Sequence, residues 1–387
     1  YAVHVTIAGA AGQGAVTVPV SNIATQNLGM PTSLGWILSA LGIFLAFGFV
    51  SLIGAAVRES VLPPGDPTTP KRRTRARFAM GAAMVVLVVA LTGGRAWWNA
   101  VDAAYARGLY QPMQSSVAVL NVGGARVMRL TIADSTLLQK RSTPLIPDHG
   151  KIMHFFLVGE GESGQPTLAH LHPLALDSAS FEARAGRIPA GRYRYYADVV
   201  HESGFAETML GSLQLGAPNA SDTARSDVDD AISIISPEAG DTQGIPGGGS
   251  VAFERPRTVQ AGADLMLRFD VRESNGTLSV LSPYMGMPAH AVVVNADGSV
   301  FAHLHSNGSF SMAAQGVLAA IEQGDTLASL RPGVPRPRIQ TAHSMQLTAD
   351  GHLEFPFAFP KAGEYTVWVQ FRRANAIQTA AFAVTAQ

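Results

Sequence analysis

One pattern of histidines occurs twice along this chain, so the chain is expected to fold as two copies of one module. Residues 145–172 hold Leu145, Pro147, His149, Gly150 and His154, then Ala169-His170-Leu171-His172. Residues 281–305 hold Leu281, Pro283, Met285, Gly286 and His290, then Ala302-His303-Leu304-His305. The early positions match at an offset of 136 and the His-Leu-His pairs at 133, so the second copy has the shorter loop. Seven of the eleven histidines lie in these two windows.

Both windows sit in strand-like sequence. From Val117 onward, short β-type runs alternate with turn signals, as in Arg126–Ile132, His154–Val158, Arg192–Val200, Asp264–Val271 and Glu364–Phe371. Such spacing predicts antiparallel sandwiches, one over 117–215 and one over 251–387. Residues 216–250, rich in Gly, Pro, Ser and Asp, read as a linker whose Asp227, Asp229 and Asp230 are solvated charge. Residues 1–20 alternate like strands and are expected to be the tail of a further β-domain that begins upstream.

Two apolar runs precede the sandwiches, about Ser33–Val57 and Phe78–Trp98. Each is long enough for a hydrocarbon core, which takes about 20 apolar residues. A two-helix membrane anchor is expected over 33–98. Its connection, 58–77, carries Arg58, Lys71, Arg72, Arg73, Arg75 and Arg77, which places it in the cytoplasm. The sandwiches then lie on the other side, in the periplasm of a bacterial inner membrane. The formal charge is zero, so no global field draws the chain to nucleic acid. Its expected partners are the bilayer and another membrane or periplasmic protein.

Two histidines at i and i+2 on a strand share a face. In the second copy Asp297-Gly298 signals a two-residue hairpin turn. That turn sets His290 across from His305, with His303 a diagonal neighbour on the same face. In the first copy His154 should face His172, with His149 in place of Met285 and His201 approaching the same end. The candidate ligands are therefore His149, His154, His170, His172 and His201 in one site. Met285, Met287, His290, His303 and His305 form the other. The chain has no cysteine, which excludes thiolate sites and disulfides. A histidine and methionine set favours copper, with zinc on three imidazoles second. Histidines in sandwiches also serve as plain hydrogen-bonding residues, which is the structural alternative. No phosphate loop or Ser/His/Asp set has supporting context, so a non-catalytic protein is expected.

Asp148–His154, Ala169–Pro173 and Pro189–Gly204, with Gly286–His290, Phe301–His305 and Phe359–Phe371, resemble the YtkA-like domains of bacterial envelopes. The resemblance covers roughly 117–215 and 251–385. It implies immunoglobulin-like sandwiches associated with heavy-metal handling or membrane redox assembly. It also implies His154, His170, His172, His290, His303 and His305 as shared positions; Ser306 stands where the first copy has Pro173. The expected fold class is mainly β, with tandem immunoglobulin-like antiparallel sandwiches and two transmembrane helices. The expected function is copper binding or delivery, with an assembly subunit of a larger membrane complex as the alternative.

The charge asymmetry makes a topological prediction. Protease added outside intact spheroplasts should digest the sandwiches and spare residues 58–77. Protection of the sandwiches would reverse the orientation.

Overall fold

The computed structural model describes residues 2–9, 12–19, 29–63, 65–107, 109, 113–133, 145–162, 164–256, 258–306, 308–322 and 350–387. His343 lies outside them. The chain forms two compact units, one of residues 22–111 and one of 1–21 with 112–387.

The smaller unit holds two helices, α1 (Thr32–Glu59) and α2 (Pro70–Arg107). Both are long and apolar enough to cross a membrane, and the apolar window of each is only 11 % buried. Trp36, Phe44, Phe47, Phe78 and Leu91 all point outward, a surface suited to lipid. The helices touch at small residues. Val50 and Gly54 of α1 and Ala76 of α2 are buried, and a Cβ on Gly54 would come within 2.6 Å of the Met80 sulfur. Small residues allow this approach.

Half of the segment 58–77 is helical, where the sequence reading took all of it as connection: Arg58 and Glu59 end α1, and only 60–69 lie between the helices. α2 starts at Pro70, a proline at the first helical position, so Lys71, Arg72, Arg73, Arg75 and Arg77 lie on its first turns. Lys and Arg are good helix formers. A 38-residue helix is about 57 Å long, so its basic end can extend past the apolar stretch. At its other end α2 continues to Arg107, past the expected end of the anchor at Trp98.

In the larger unit, β1 (Ala2–Gly9) and β2 (Gly12–Pro19) form an antiparallel hairpin. The first sandwich follows. One sheet has the order β3-β4-β9-β8: Ser115–Val122, Ala125–Ile132, Ser180–Arg184 and Leu174–Ala175. The facing sheet has the order β11-β10-β6-β7-β12: Ala206–Leu215, Gly191–His201, His154–Gly161, Pro166–Leu171 and Ala231–Ile234. A short β5 (Leu145–Ile146) also pairs with β10. Between the sheets lies a core that includes Met128, Phe155, Phe181, Tyr193 and Tyr195.

The second sandwich repeats the plan. One sheet runs β13-β14-β15-β18: Thr242–Gly244, Ser250–Phe253, Asp264–Arg272 and His352–Ala358. The other runs β17-β16-β19-β20: Phe301–Leu304, Ala289–Asn295, Gly363–Arg373 and Ala376–Ala386. Its core includes Phe253, Phe269, Phe355, Phe371 and Phe382. A helix α3 (Met312–Glu322) follows β17. Each copy carries a tyrosine whose hydroxyl donates to a main-chain carbonyl four residues upstream. These are Tyr193 to Pro189 at 3.1 Å and Tyr365 to Lys361 at 2.7 Å. This corner contact is a hallmark of immunoglobulin-like sandwiches.

Residues 216–250 are more than a linker. β12 extends the first sandwich, and β13 with the start of β14 belongs to the second. The buried pair Arg126–Asp222, at 2.6 Å, ties the beginning of the segment to the first sandwich.

The two sandwiches meet through the sheets that carry the histidines. Phe156, Leu168, Tyr196, Val292, Val294, Trp368 and Ala381 form one apolar cluster drawn from both. The Tyr196 and Phe301 rings stack at 4.2 Å and 7°, and the Tyr196 hydroxyl donates to Gly298 O at 2.9 Å. A dry, shared core of this kind should make the sandwiches unfold together. Phe156→Ala should cost about 3–5 kcal/mol and split one thermal transition into two. A wild-type melt already in two separated steps would contradict a cohesive interface.

Candidate metal centre

Two tight turns start the site. At Asp148–Lys151 and at Tyr284–Met287, the end residues exchange both main-chain hydrogen bonds, at 2.8–3.1 Å. The central residues have positive φ: His149 52° and Gly150 81°, Met285 51° and Gly286 77°. Two-residue hairpins of this hand need positive φ at both central positions, and glycine supplies the second at no steric cost. The duplicated pattern is thus a duplicated turn, and it places His149 and Met285 equivalently.

The second-copy register is the expected one. Ala291 pairs with Leu304 and Val292 with His303, so His290, His303 and His305 share a face. The turn itself differs. Asn295 N–H donates to Val300 O at 3.2 Å, closing a four-residue loop. Asp297 Oδ1 accepts from Ser299 N–H and from the Asn295 amide, which favours this wider loop over a two-residue turn. In the first copy Phe155 pairs with Leu171 and Phe156 with His170, so His154 lies across from His172.

The two sites are one. His149 Nε2 of the first copy lies 3.2 Å from His305 Nε2 of the second. The His154 and His303 rings are 5.1 Å apart, and those of His170 and His303 5.5 Å. Ligand-capable atoms of His154, His170 and His303 lie within 4.8 Å of one another, as do those of His290, His303 and His305. Seven imidazoles therefore gather where the two sandwiches face each other.

Each copy repeats the same chain of contacts. His154 Nε2 lies 3.3 Å from Asp148 O, and His290 Nε2 3.1 Å from Tyr284 O. On the other side, His154 Nδ1 is 3.1 Å from His170 Nε2, and His290 Nδ1 is 3.2 Å from His303 Nε2. His170 Nδ1 then meets Gln370 Oε1 at 3.0 Å, and His303 Nδ1 meets Asp198 Oδ2 at 3.4 Å. With Asp198 ionised and the Gln370 amide oxygen turned to His170, each chain has three contacts that call for a ring proton, and two neutral imidazoles carry two; a protonated Asp198 or a turned Gln370 amide supplies the third. Protons on the outer nitrogens leave two lone pairs facing each other. In addition, His172 Nε2 and His305 Nδ1 are buried without a hydrogen-bond partner.

Burial favours the neutral form of His149, His154, His170, His290, His303 and His305. Desolvation first, and then repulsion among the rings, hold His154, His170, His290 and His303 well below the usual histidine range. His305 is lowered to about 3 by burial and by His149. His149 is lowered by burial, against the opposing pull of Asp148 and of the Met285 carbonyl. Asp198 is pushed up to about 7, chiefly by desolvation, although 22 % of its side chain stays exposed. A cavity of about 300 Å³ adjoins the cluster, lined by Asp148, His154, Asp198, Glu207, His303 and His305 among others.

The other sequence candidates go elsewhere. His201 is buried against Glu207, Nε2 to Oε2 at 3.3 Å, and beside Phe205, so Glu207 draws it away from the ring contacts that join the other seven. Met285 takes part through its main chain, as acceptor for the His149 ring, and Met287 closes the turn with Tyr284.

Three aspartates read as solvated charge are structural parts of the site. Asp230 is buried and accepts from both His172 N–H, at 2.8 Å, and His172 Nδ1, at 3.1 Å. Asp227 and Asp229 hold Lys151, at 2.5 and 3.0 Å, and Asp229 also pairs with Arg372. Tyr284 donates to Asp229 O at 2.9 Å. The small apolar run Ile232–Ile235 just after them was the available signal, since it becomes β12 and carries the aspartates onto β7.

Comparisons with known proteins add little beyond the fold class. A family model described as a domain of unknown function (DUF8832) matches residues 246–387, the second sandwich. No curated protein matches the chain. Among solved structures, the D00-D0 domain of intimin aligns over 71 % of this chain and 100 % of its own, at 10 % identity and a TM-score of 0.17. A chimeric titin Z1Z2 aligns over 72 % and 99 %, at 10 % identity and 0.15. Such low scores carry no argument. The immunoglobulin-like assignment rests on the sheet order and the tyrosine corners, and the likeness to YtkA-like domains is one of sequence motifs.

The neutral rings predict an acid-labile apoprotein. In the unfolded chain histidine takes up a proton near pH 6.5; in the fold these rings stay neutral to lower pH. Their contribution is complete above about pH 6.5 and is lost as pH falls toward the folded value, about 3 for His305. Each ring adds a slope of about 1.4 kcal/mol per pH unit in that window. Denaturant unfolding at pH 7.5 and pH 5 should show a steep loss, and equal stabilities would refute neutral burial.

Proposed function

We propose that the tandem sandwiches bind a transition-metal ion, copper first and zinc second, at the seven-histidine centre of their interface. The reading rests above all on the duplicated pair of facing imidazole nitrogens, 3.1 Å and 3.2 Å apart, which lack a proton between them when Asp198 is ionised and Gln370 presents its oxygen. An ion bound by imidazole at about 2.0–2.1 Å has tetrahedral nitrogen–nitrogen edges of about 3.4 Å. The observed pairs are close to that edge, and an ion between the lone pairs removes the conflict.

Neutral imidazole without thiolate suits copper and zinc far better than calcium or magnesium. Copper(II) outranks zinc for nitrogen sites in intrinsic affinity. The adjoining cavity presents Asp148, Asp198 and Glu207, and carboxylates at a cleft raise the local concentration of cations. Asp230 on His172 and Gln370 on His170 are the outer partners that orient imidazole ligands.

α1 and α2 would anchor the protein in a bacterial inner membrane with the sandwiches in the periplasm. There the centre would carry or deliver the ion without catalysis. The assembly-subunit alternative calls for an open apolar sandwich face. Here the histidine-bearing sheets spend much of that face on each other, through Phe156, Val292 and Trp368.

The test is metal analysis of the purified full chain in detergent after incubation with copper or zinc and removal of free ion. Retained metal that is lost in His154→Ala/His170→Ala, with an unchanged circular dichroism spectrum, is the expected result. A wild-type chain that retains neither ion would make the histidines structural.

A further inference from the structure

We infer that the centre holds two metal ions side by side, one on each histidine pair, close enough to be magnetically coupled. The inference rests on the metal-binding reading above and specifies its stoichiometry.

Seven imidazole side chains exceed what one ion takes, since such sites are mostly four-coordinate. They are also divided. The His154–His170 pair and the His290–His303 pair each bring their own facing nitrogens, at 3.1 and 3.2 Å. Each pair has a third ring at hand. The His172 ring is 4.7 Å from that of His170 and 5.3 Å from that of His154. The His305 ring is 4.6 Å from His303 and 5.1 Å from His290. The two orphaned buried nitrogens belong to these third rings, His172 Nε2 and His305 Nδ1. The rings thus divide three and three, with an unmet nitrogen in each half, and the ligand atoms that converge within 4.8 Å are those of His154, His170 and His303 and of His290, His303 and His305.

The halves adjoin. His303 belongs to both groups of converging ligand atoms, and its ring is 5.1 Å from that of His154. The seventh ring, His149, lies between them, 5.3 Å from His290 and 6.1 Å from His154. Two neighbouring cations repel, and the site carries the charge to offset that. Asp230 holds His172 at 3.1 Å, Asp198 faces His303 at 3.4 Å, and Asp148 Oδ1 is 3.8 Å from His149 Nε2.

The experiment titrates the full chain in detergent with Cu(II), and in parallel with Zn(II) as a redox-inert count. Bound metal is measured per chain, and the Cu(II) spins are integrated by electron paramagnetic resonance. Two ions per chain, with spin intensity well below the total bound copper, are expected. The double variant His290→Ala/His305→Ala should bind one ion and recover full intensity for it. Saturation at one ion, or two ions with full and unbroadened intensity, would overturn the inference and leave metal binding standing. No bound ion at all would overturn both. If the double variant fails to fold by circular dichroism, the wild-type count and spin intensity still decide.

Discussion

The arrangement depends on one costly feature, a set of neutral imidazoles buried between two sheets. Each sandwich has its own apolar core and is built without the other. Their mutual face, however, is part oil and part nitrogen. At one part Phe156, Tyr196, Phe301 and Trp368 exclude water; at the other the histidines fill the space. Phe156 joins the two, stacking on the His170 ring at 4.2 Å. An unmet buried polar atom costs about 1–3 kcal/mol, and this cluster has two orphaned nitrogens. The apolar contact offsets that cost, so the site is held open by packing elsewhere in the same interface.

Much of this was legible in the sequence because strand periodicity and turn chemistry are local. His-X-His on one face follows from period two, and the register around Asp297-Gly298 survived a change of turn type. A four-residue loop centred on the same dipeptide pairs the same residues as a two-residue one. The junction of the two sites was not legible. The offset of 136 shows that the copies are alike, and says nothing of which faces meet. Asp227, Asp229 and Asp230 were misread for a related reason. Acidic residues in a Gly- and Ser-rich stretch look solvated until a partner such as His172, Lys151 or Arg372 arrives from elsewhere. His201 lies apart from the seven-ring cluster because Glu207, across the β10–β11 hairpin, holds it.

The basic stretch between the helices shows the same limit. Its charge is readable. Its secondary structure is not, because Lys and Arg are as common in helices as in short cytoplasmic loops. Pro70 was the local signal that a helix could begin there.

Duplication explains the likeness of the two halves, and departures from it explain why they need not bind equally. The carbonyl-to-histidine contact at Asp148 and His154 has its twin at Tyr284 and His290. The partner of His172 has no twin, because Asp230 comes from the segment that joins the copies. A carboxylate on Nδ1 raises the basicity of the ligating nitrogen; Asp230 does this for His172 in the first half and Asp198 faces His303 in the second. His149 against Met285 is the true imbalance: only the first turn lends an imidazole, and that ring reaches across to His305 of the second half at 3.2 Å.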